Sequence, residues 1–319
     1  MAQHFLLSAK ARTLSLKAIY ADGEAKNYET FRKLRWSKTD GQPICSHCGS
    51  THAYAISTRR RFKCADCGKQ YSVTSGTIFA SRKLTFTDLM AAICIFANAA
   101  KGISALQLAR DLDVQHKTAF VLAHKIREAI TAETKGAKLS GEIEIDGAFF
   151  GGHIRPANMK ENRRDRRLSE NQTGKRRVVI ALRQRNGRTL PFVSRNESDG
   201  VELAKQVVDR LATVHADEAS HWDALHNGWF TRRINHSEAY SLDDVCTNQV
   251  ESYFSRLRRM VSGQHHHVSP RYLYQYANHA AWLEDHRRLA NGALAHRALG
   301  LALGHGISRN WKGYWQRAA

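Results

Sequence analysis

The chain has 319 residues, and 49 Lys and Arg against 29 Asp and Glu give it a formal net charge of +20. An excess this large points to a polyanionic partner, nucleic acid or an acidic membrane surface, and 42 % hydrophobic residues exclude a chain too polar to fold. No apolar run reaches the ~20 residues of a membrane helix, and the opening Met-Ala-Gln-His-Phe lacks the layout of a secretory signal, so a cytoplasmic protein of roughly two or more domains is expected.

In chain order, residues 1–40 read as an N-terminal helical segment and 41–80 as a zinc ribbon. The ribbon rests on Cys45-Ser-His-Cys48 and Cys64-Ala-Asp-Cys67, a C-x2-C-x15-C-x2-C pattern with Gly49 and Gly68 one position after each pair. Two residues between thiols let both sulfurs reach one ion, and two such knuckles close a tetrahedral four-sulfur shell. Such a shell has no open coordination position, so this zinc holds structure and does no chemistry. The competing reading, two disulfides, needs an oxidising compartment that nothing in the sequence indicates. Residues 32–69 also carry nine Lys and Arg, Arg59, Arg60 and Arg61 among them, against Asp40 and Asp66. A ribbon so dressed is expected on DNA phosphates, with solvated loop charge as the alternative.

Residues 81–138 turn helical. Thr85-x-x-Asp88 is a capping box ahead of the apolar stretch 89–97, Ser104 opens a second helix, and a turn near Asp113-Val114 leads to a third. In the third helix Ala119, Leu122, Ala123, Ile126 and Ile130 share one face. The other face is expected to present Gln115, His116, Lys117, Thr118, Lys125 and Arg127 to DNA as in a helix-turn-helix. A plain helical packing module is the alternative.

Residues 139–290 read as one domain, and 141–251 within it decide the function. Gly141-Glu-Ile-Glu-Ile-Asp-Gly147 alternates apolar and acidic residues at strand period, setting Glu142, Glu144 and Asp146 on one side. A second strand over 175–184, a hairpin turn at Asn186-Gly187 and a third strand over 189–194 follow. Then come a helix over 202–211 with Leu203, Val207 and Leu211 on its apolar side, a short strand 213–217, two short elements to His236, and a helix 248–261 burying Val250, Phe254, Leu257 and Val261. This βββαβαβα order matches an RNase H-like α/β domain with a mixed sheet, within a multidomain α+β chain. Acids at the ends of its first strand, fourth strand and last helix would be Asp146, Asp217 and Glu251, spaced D-x70-D-x33-E. Three carboxylates can hold two magnesium ions about 3.5–4 Å apart for phosphoryl transfer. Arg258, two turns after Glu251 on the same face, is placed to steady a phosphate.

Between the first two strands, residues 155–177 hold nine basic residues, including Arg163, Arg164, Arg166 and Arg167, against three acids; this loop is expected on DNA backbone, or else is a solvated insertion. The tail, 291–319, gathers Trp311, Tyr314 and Trp315 near basic residues and is expected to pack on the catalytic domain.

The chain resembles insertion-sequence DDE transposases with an N-terminal zinc ribbon, the bacterial relatives of the Merlin-type elements. The matching stretches are the two Cys pairs with Gly-Lys-Gln-Tyr-Ser-Val after Cys67, Ser75-Gly-Thr-Ile-Phe79, Glu144-Ile-Asp146, Phe150-Gly-Gly152, Ala216-Asp217, Ile234-Asn-His-Ser237 and Thr247-Asn-Gln-Val-Glu251 leading to Leu257-Arg-Arg259. Together they cover about residues 30–290. The resemblance implies that Asp146, Asp217 and Glu251 form the catalytic triad, that magnesium is the cofactor, and that double-stranded DNA at element ends and targets is the partner. It further implies a homo-oligomeric synaptic complex in the bacterial cytoplasm, at the nucleoid. Many members carry a second acid directly after the first Asp, where this chain has Gly147, and often Lys where it has Arg258. Some use Asn as the third catalytic residue, which brings Asn248 into view, and His236 of the Asn-His-Ser motif is an auxiliary candidate. Two other functions stay open at this point: a non-enzymatic zinc-ribbon regulator with a degenerate catalytic domain, and a structure-selective nuclease.

Overall fold

The computed structural model describes residues 5–152, 156–165, 168–171, 173–235, 241 and 245–317. Its elements in chain order are α1 (Leu16–Arg35), β1 (Ala53–Ile56), β2 (Arg61–Cys64), β3 (Gln70–Tyr71), α2 (Phe86–Asn98), α3 (Ala105–Asp111), α4 (His116–Ala132), β4 (Glu142–Phe150), β5 (Arg177–Gln184), β6 (Thr189–Ser194), α5 (Asp199–Val207), β7 (Thr213–Asp217), β8 (Phe230–Ile234), α6 (Asn248–Arg258), α7 (Pro270–Asp285) and α8 (Asn291–Gly304). They fall into two units, residues 1–133 with 286–319, and residues 134–285. No described helix is long and apolar enough to cross a membrane.

In the first unit, α1 breaks at Gly23, whose φ of 68° is left-handed. Buried Asn27 bridges the break, its Nδ2 donating to the carbonyls of Ile19 and Gly23 at 2.9 and 2.8 Å. β1, β2 and β3 form a small antiparallel sheet, sealed by Trp36 set edge-on to Phe62 and Tyr71. α2 is apolar nearly all round and buried accordingly; the capping box at its start is formed, Thr85 and Asp88 each accepting from the other's backbone N–H. Glu24 accepts the next two free amides, from Phe86 and Thr87 at 3.1 and 2.9 Å. Between α3 and α4 the chain turns at Asp113, left-handed at φ 51°.

Two expectations fail here. Arg127, assigned to the outer face of α4, is buried, donating to the Ile103 carbonyl at 3.3 Å with its guanidinium 5.5 Å from the Phe96 ring centre. The described tail packs within the first unit instead: α8 packs on α1, α2 and α4, Asn291 accepts from the amides of Thr13 and Leu14, and Trp311 stacks 4.3 Å from His124. All of these partners lie in the first unit.

The second unit is a five-stranded mixed sheet in the order β6-β5-β4-β7-β8, with β4–β5 and β5–β6 antiparallel and β4–β7 and β7–β8 parallel. Alternation along β4 sends Ile143 and Ile145 into a core shared with Val178, Ile180, Val201, Val214, Ala216 and Trp222, against α5. The even residues face the other way, where α6 packs on β4 and β5. Two helices differ from the sequence reading. α5 spans 199–207, three residues earlier at its start, and Leu211 beyond it is 95 % exposed. α6 ends at Arg258 and continues as a π-helix over Arg259–His265, which buries Met260 and leaves Val261 half-exposed. The wider π turn shifts the helix face that an α-period projection assigns.

Candidate active site and thiolate cluster

The two knuckles of the ribbon are built alike. The Cys45 amide donates to the Ser50 carbonyl at 2.8 Å and the Cys64 amide to Lys69 at 3.0 Å; Gly49 and Gly68 donate back to Cys45 and Cys64 at 3.0 and 3.1 Å. Both glycines are left-handed, at φ 79° and 67°, which explains their place one residue after each pair. The sulfurs of Cys45 and Cys67 lie 3.7 Å apart and those of Cys48 and Cys64 3.5 Å. A tetrahedron of sulfurs about 2.3 Å from zinc has edges of about 3.8 Å, so the cluster fits zinc and is too wide for disulfides. The Cys67 N–H, reinforced by other donors, pulls the Cys64 thiol down to about 7 despite burial. Among the described residues this is the only set of three or more metal-ligating groups within 4.8 Å of one another, and its four sulfurs fit a structural zinc.

Beside the ribbon a cavity of about 400 Å3 is lined by Arg59, Arg60, Arg61, Ser72, Ser75 and Arg82, among others. Arg60 is bound to Glu24 at 2.9 Å and lies over the Tyr28 ring, while Arg59 and Arg61 are exposed. On α4, Gln115, His116 and Lys117 are exposed at its N-terminal end. Lys117 lies 5.6 Å from the Trp315 ring centre. Lys125 is half-buried, and burial pushes its ammonium down. In the basic loop of the second unit Arg163 and Arg164 are exposed, Arg163 donating to the Ala157 and Asn158 carbonyls. Arg166, Arg167 and His236 lie outside the described residues.

The acids meet because of strand register. β4 and β7 pair in parallel with Glu142 opposite Thr213 and Glu144 opposite His215, a constant offset of 71. Continued two residues, that offset sets Asp146 level with Asp217 on neighbouring strands and on one face of the sheet. Glu251 comes from the first turns of α6 on that same face, its Oε1 accepting from the Thr247 hydroxyl at 3.3 Å. Burial first, then the charges of Asp217, Glu197 and Glu251, push the Asp146 carboxyl up to about 7, against the pull of the Gly147 N–H donating to its Oδ1 at 2.7 Å. Asn248 is exposed at the start of α6, and Arg258 is exposed at its end with its guanidinium over the Phe254 ring.

Two further residues belong to this neighbourhood: Glu197, which the sequence reading missed, and Glu144, which it placed on the right face without a role. Glu197, between β6 and α5, joins the cluster. Burial and the Asp217 charge raise its carboxyl, while His221, 3.7 Å away, and Arg176 oppose them. It fits because residue 147 is glycine: a Cβ there would lie 1.8 Å from Glu197 Oε1. Glu144, which alternation sets beside Asp146, is fully buried and paired with Arg185 at 3.0 Å. The acids are set wider than the thiolates, and the mutual repulsion that raises Asp146 is what a bound divalent cation would relieve. Oxygen donors of this kind suit magnesium or manganese.

Two family models match the chain: a transposase zinc-ribbon domain over residues 23–70 and an ISXO2-like transposase domain over residues 138–285. No curated protein and no solved structure is significantly similar to it.

Proposed function

We propose that this chain, an insertion-sequence DDE transposase with an N-terminal zinc ribbon, binds the ends of its own element, cleaves them, and joins the freed 3′-hydroxyls to target DNA. What supports this reading most is the β4–β7 register, whose continuation levels Asp146 with Asp217, together with the charges of Asp217 and Glu251 felt at Asp146. In this reading the three carboxylates hold divalent cations. Such ions polarise the scissile phosphate and activate the attacking oxygen when bound. Both steps are in-line displacements at phosphorus, by water and then by a 3′-hydroxyl, so one site serves both without an external energy source.

The protein's own residues divide the remaining work. Asp146, in the middle of β4 and not at its end as the element order suggested, Asp217 at the end of β7 and Glu251 on α6 bring negative charge together. Glu197 delivers a fourth carboxylate on the side of β4 to which a residue at 147 would point, the position where many relatives place their second acid. Arg59, Arg61 and the N-terminal end of α4 bind end DNA, and Arg163 and Arg164 hold backbone near the cut. Asn248, Arg258 and His236 are auxiliary.

The test is cleavage of a plasmid carrying the coding sequence with its native flanks, by purified zinc-loaded protein with Mg2+. The expected result is nicking at the element ends, lost in Asp146→Ala with DNA binding retained. No cutting under any divalent metal would favour a DNA-binding regulator; cutting of branched DNA regardless of sequence would favour a structure-selective nuclease.

A further inference from the structure

The strongest unassigned feature of the second unit is the buried carboxylate of Glu144. It has no solvent exposure, and both of its oxygens accept hydrogen bonds. Arg185 Nε donates to Oε1 at 3.0 Å, and the backbone amides of Gln249 and Val250 donate to Oε2 at 2.8 and 2.9 Å. Those two amides belong to the first turn of α6, where helix N–H groups have no partner within the helix. The residue at the N-cap position, Thr247, makes no side-chain cap, because its hydroxyl is turned to Glu251. The capping anion comes instead from a strand 105 residues earlier in sequence. Arg185 completes the tie, donating also to the Cys246 carbonyl at 3.1 Å just ahead of the helix.

The positions of the two ends give this clamp its meaning. Glu144 lies two residues before Asp146 on the same strand and the same face, and its acceptors' partners lie one and two residues before Glu251. A buried ion pair is a weak source of net stability, since apolar residues of similar volume often do as well or better. A helix N-terminus could also be capped locally at less desolvation cost. What a local cap cannot do is fix the helix to the strand.

We infer that Glu144, neutralised by Arg185, is a positioning residue that pins the first turn of α6 to β4 and so sets Glu251 opposite Asp146 and Asp217. This rests on the three-acid reading above and adds to it the element that holds the third acid in place.

The experiment uses the zinc-loaded full chain and Mn2+ alone as probe, following free Mn2+ by electron paramagnetic resonance, with melting temperature measured alongside. Glu144→Gln is made in the parent and in Glu251→Gln. Residues that orient metal ligands typically contribute roughly 10–100-fold to affinity, and a loss in that range is expected in the parent. In Glu251→Gln no further loss is expected, because the ligand that Glu144 orients is gone. A lower melting temperature with unchanged Mn2+ affinity, or an equal loss in both backgrounds, would overturn the inference and leave the triad standing. If Glu251→Gln binds Mn2+ as the parent does, the three-acid reading falls and this inference with it. Should Glu144→Gln fail to fold, Glu144→Asp keeps the charge and withdraws it by one methylene, and it should give a smaller loss with the same dependence on Glu251.

Discussion

Replacing Gly147 by alanine separates the function of Glu197 from the stability of the sheet. A Cβ at 147 would lie 1.8 Å from Glu197 Oε1, 2.6 Å from its Cδ and 2.8 Å from its Cγ, so the carboxylate cannot stay. The obstruction is the far end of a flexible side chain, which swings aside at about 0.5–1.5 kcal/mol if its new rotamer is strained. Gly147 is not in the left-handed region, so alanine returns about 0.4–1 kcal/mol by restricting the unfolded chain. The two contributions nearly cancel, and a residual of about 1 kcal/mol would move the melting temperature of a domain this size by about 2–4 °C. Mn2+ affinity, by contrast, should fall roughly 10–100-fold if Glu197 supports the metal-binding acids, and cleavage of flank-bearing DNA should fall with it. Glu197→Gln should reproduce both losses. The reasoning is refuted if Gly147→Ala melts, binds Mn2+ and cuts as the parent does, or if Glu197→Gln is without effect.

Alanine at Gly200 should do the opposite. Its Cβ would lie 2.5 and 2.7 Å from the fully buried Trp222 ring, so overpacking of about 1–3 kcal/mol, less about 1 kcal/mol of helix propensity, should lower the melting temperature while Mn2+ affinity per folded molecule holds; an unchanged melt would contradict it. Arg183 is buried between Asp285 at 3.2 Å and Glu284 at 3.9 Å; Arg183→Met removes the counter-charge of Asp285 while Glu284 keeps Arg256 at 2.9 Å, so denaturant titration should show a loss toward the lower end of about 3–5 kcal/mol. Cys64→Ser, or chelation of zinc, should abolish end-DNA binding while Mn2+ still binds the second unit, as read by a mobility shift and a metal titration on one sample. Neutralising Arg59 and Arg61 together should flatten the slope of log affinity against log salt by up to ~1.8 if each meets a duplex phosphate; an unaltered slope would return both to solvent.

What the sequence made legible was whatever repeats at short range. Thiol spacing gave the zinc cluster, and alternation gave β4 and the face on which Asp146 stands. The Thr85 box and the glycines behind each Cys pair announced a helix start and two knuckles. Arg127 shows how residue chemistry can mislead where position does not: it lies four after Ala123 and three before Ile130, squarely on the buried stripe of α4. Only its charge assigned it to DNA, and inside the unit that charge is met by a carbonyl and a ring. Met260 displaces Val261 because a π turn is invisible to an α-period projection. Glu144 is harder still, since alternation gives its face but nothing local names a partner 105 residues away. Glu197 could be reached only through an empty space. Gly147 stands where the family resemblance leads one to expect an acid, and the missing Cβ leaves room for the Glu197 carboxylate. A glycine at a position where chemistry expects a charge is thus a reason to search other elements for the charge before concluding that the site has lost it. In this chain that search leads from Gly147 to Glu197, and the metal titration of Gly147→Ala decides whether the substitution in space is also one in function.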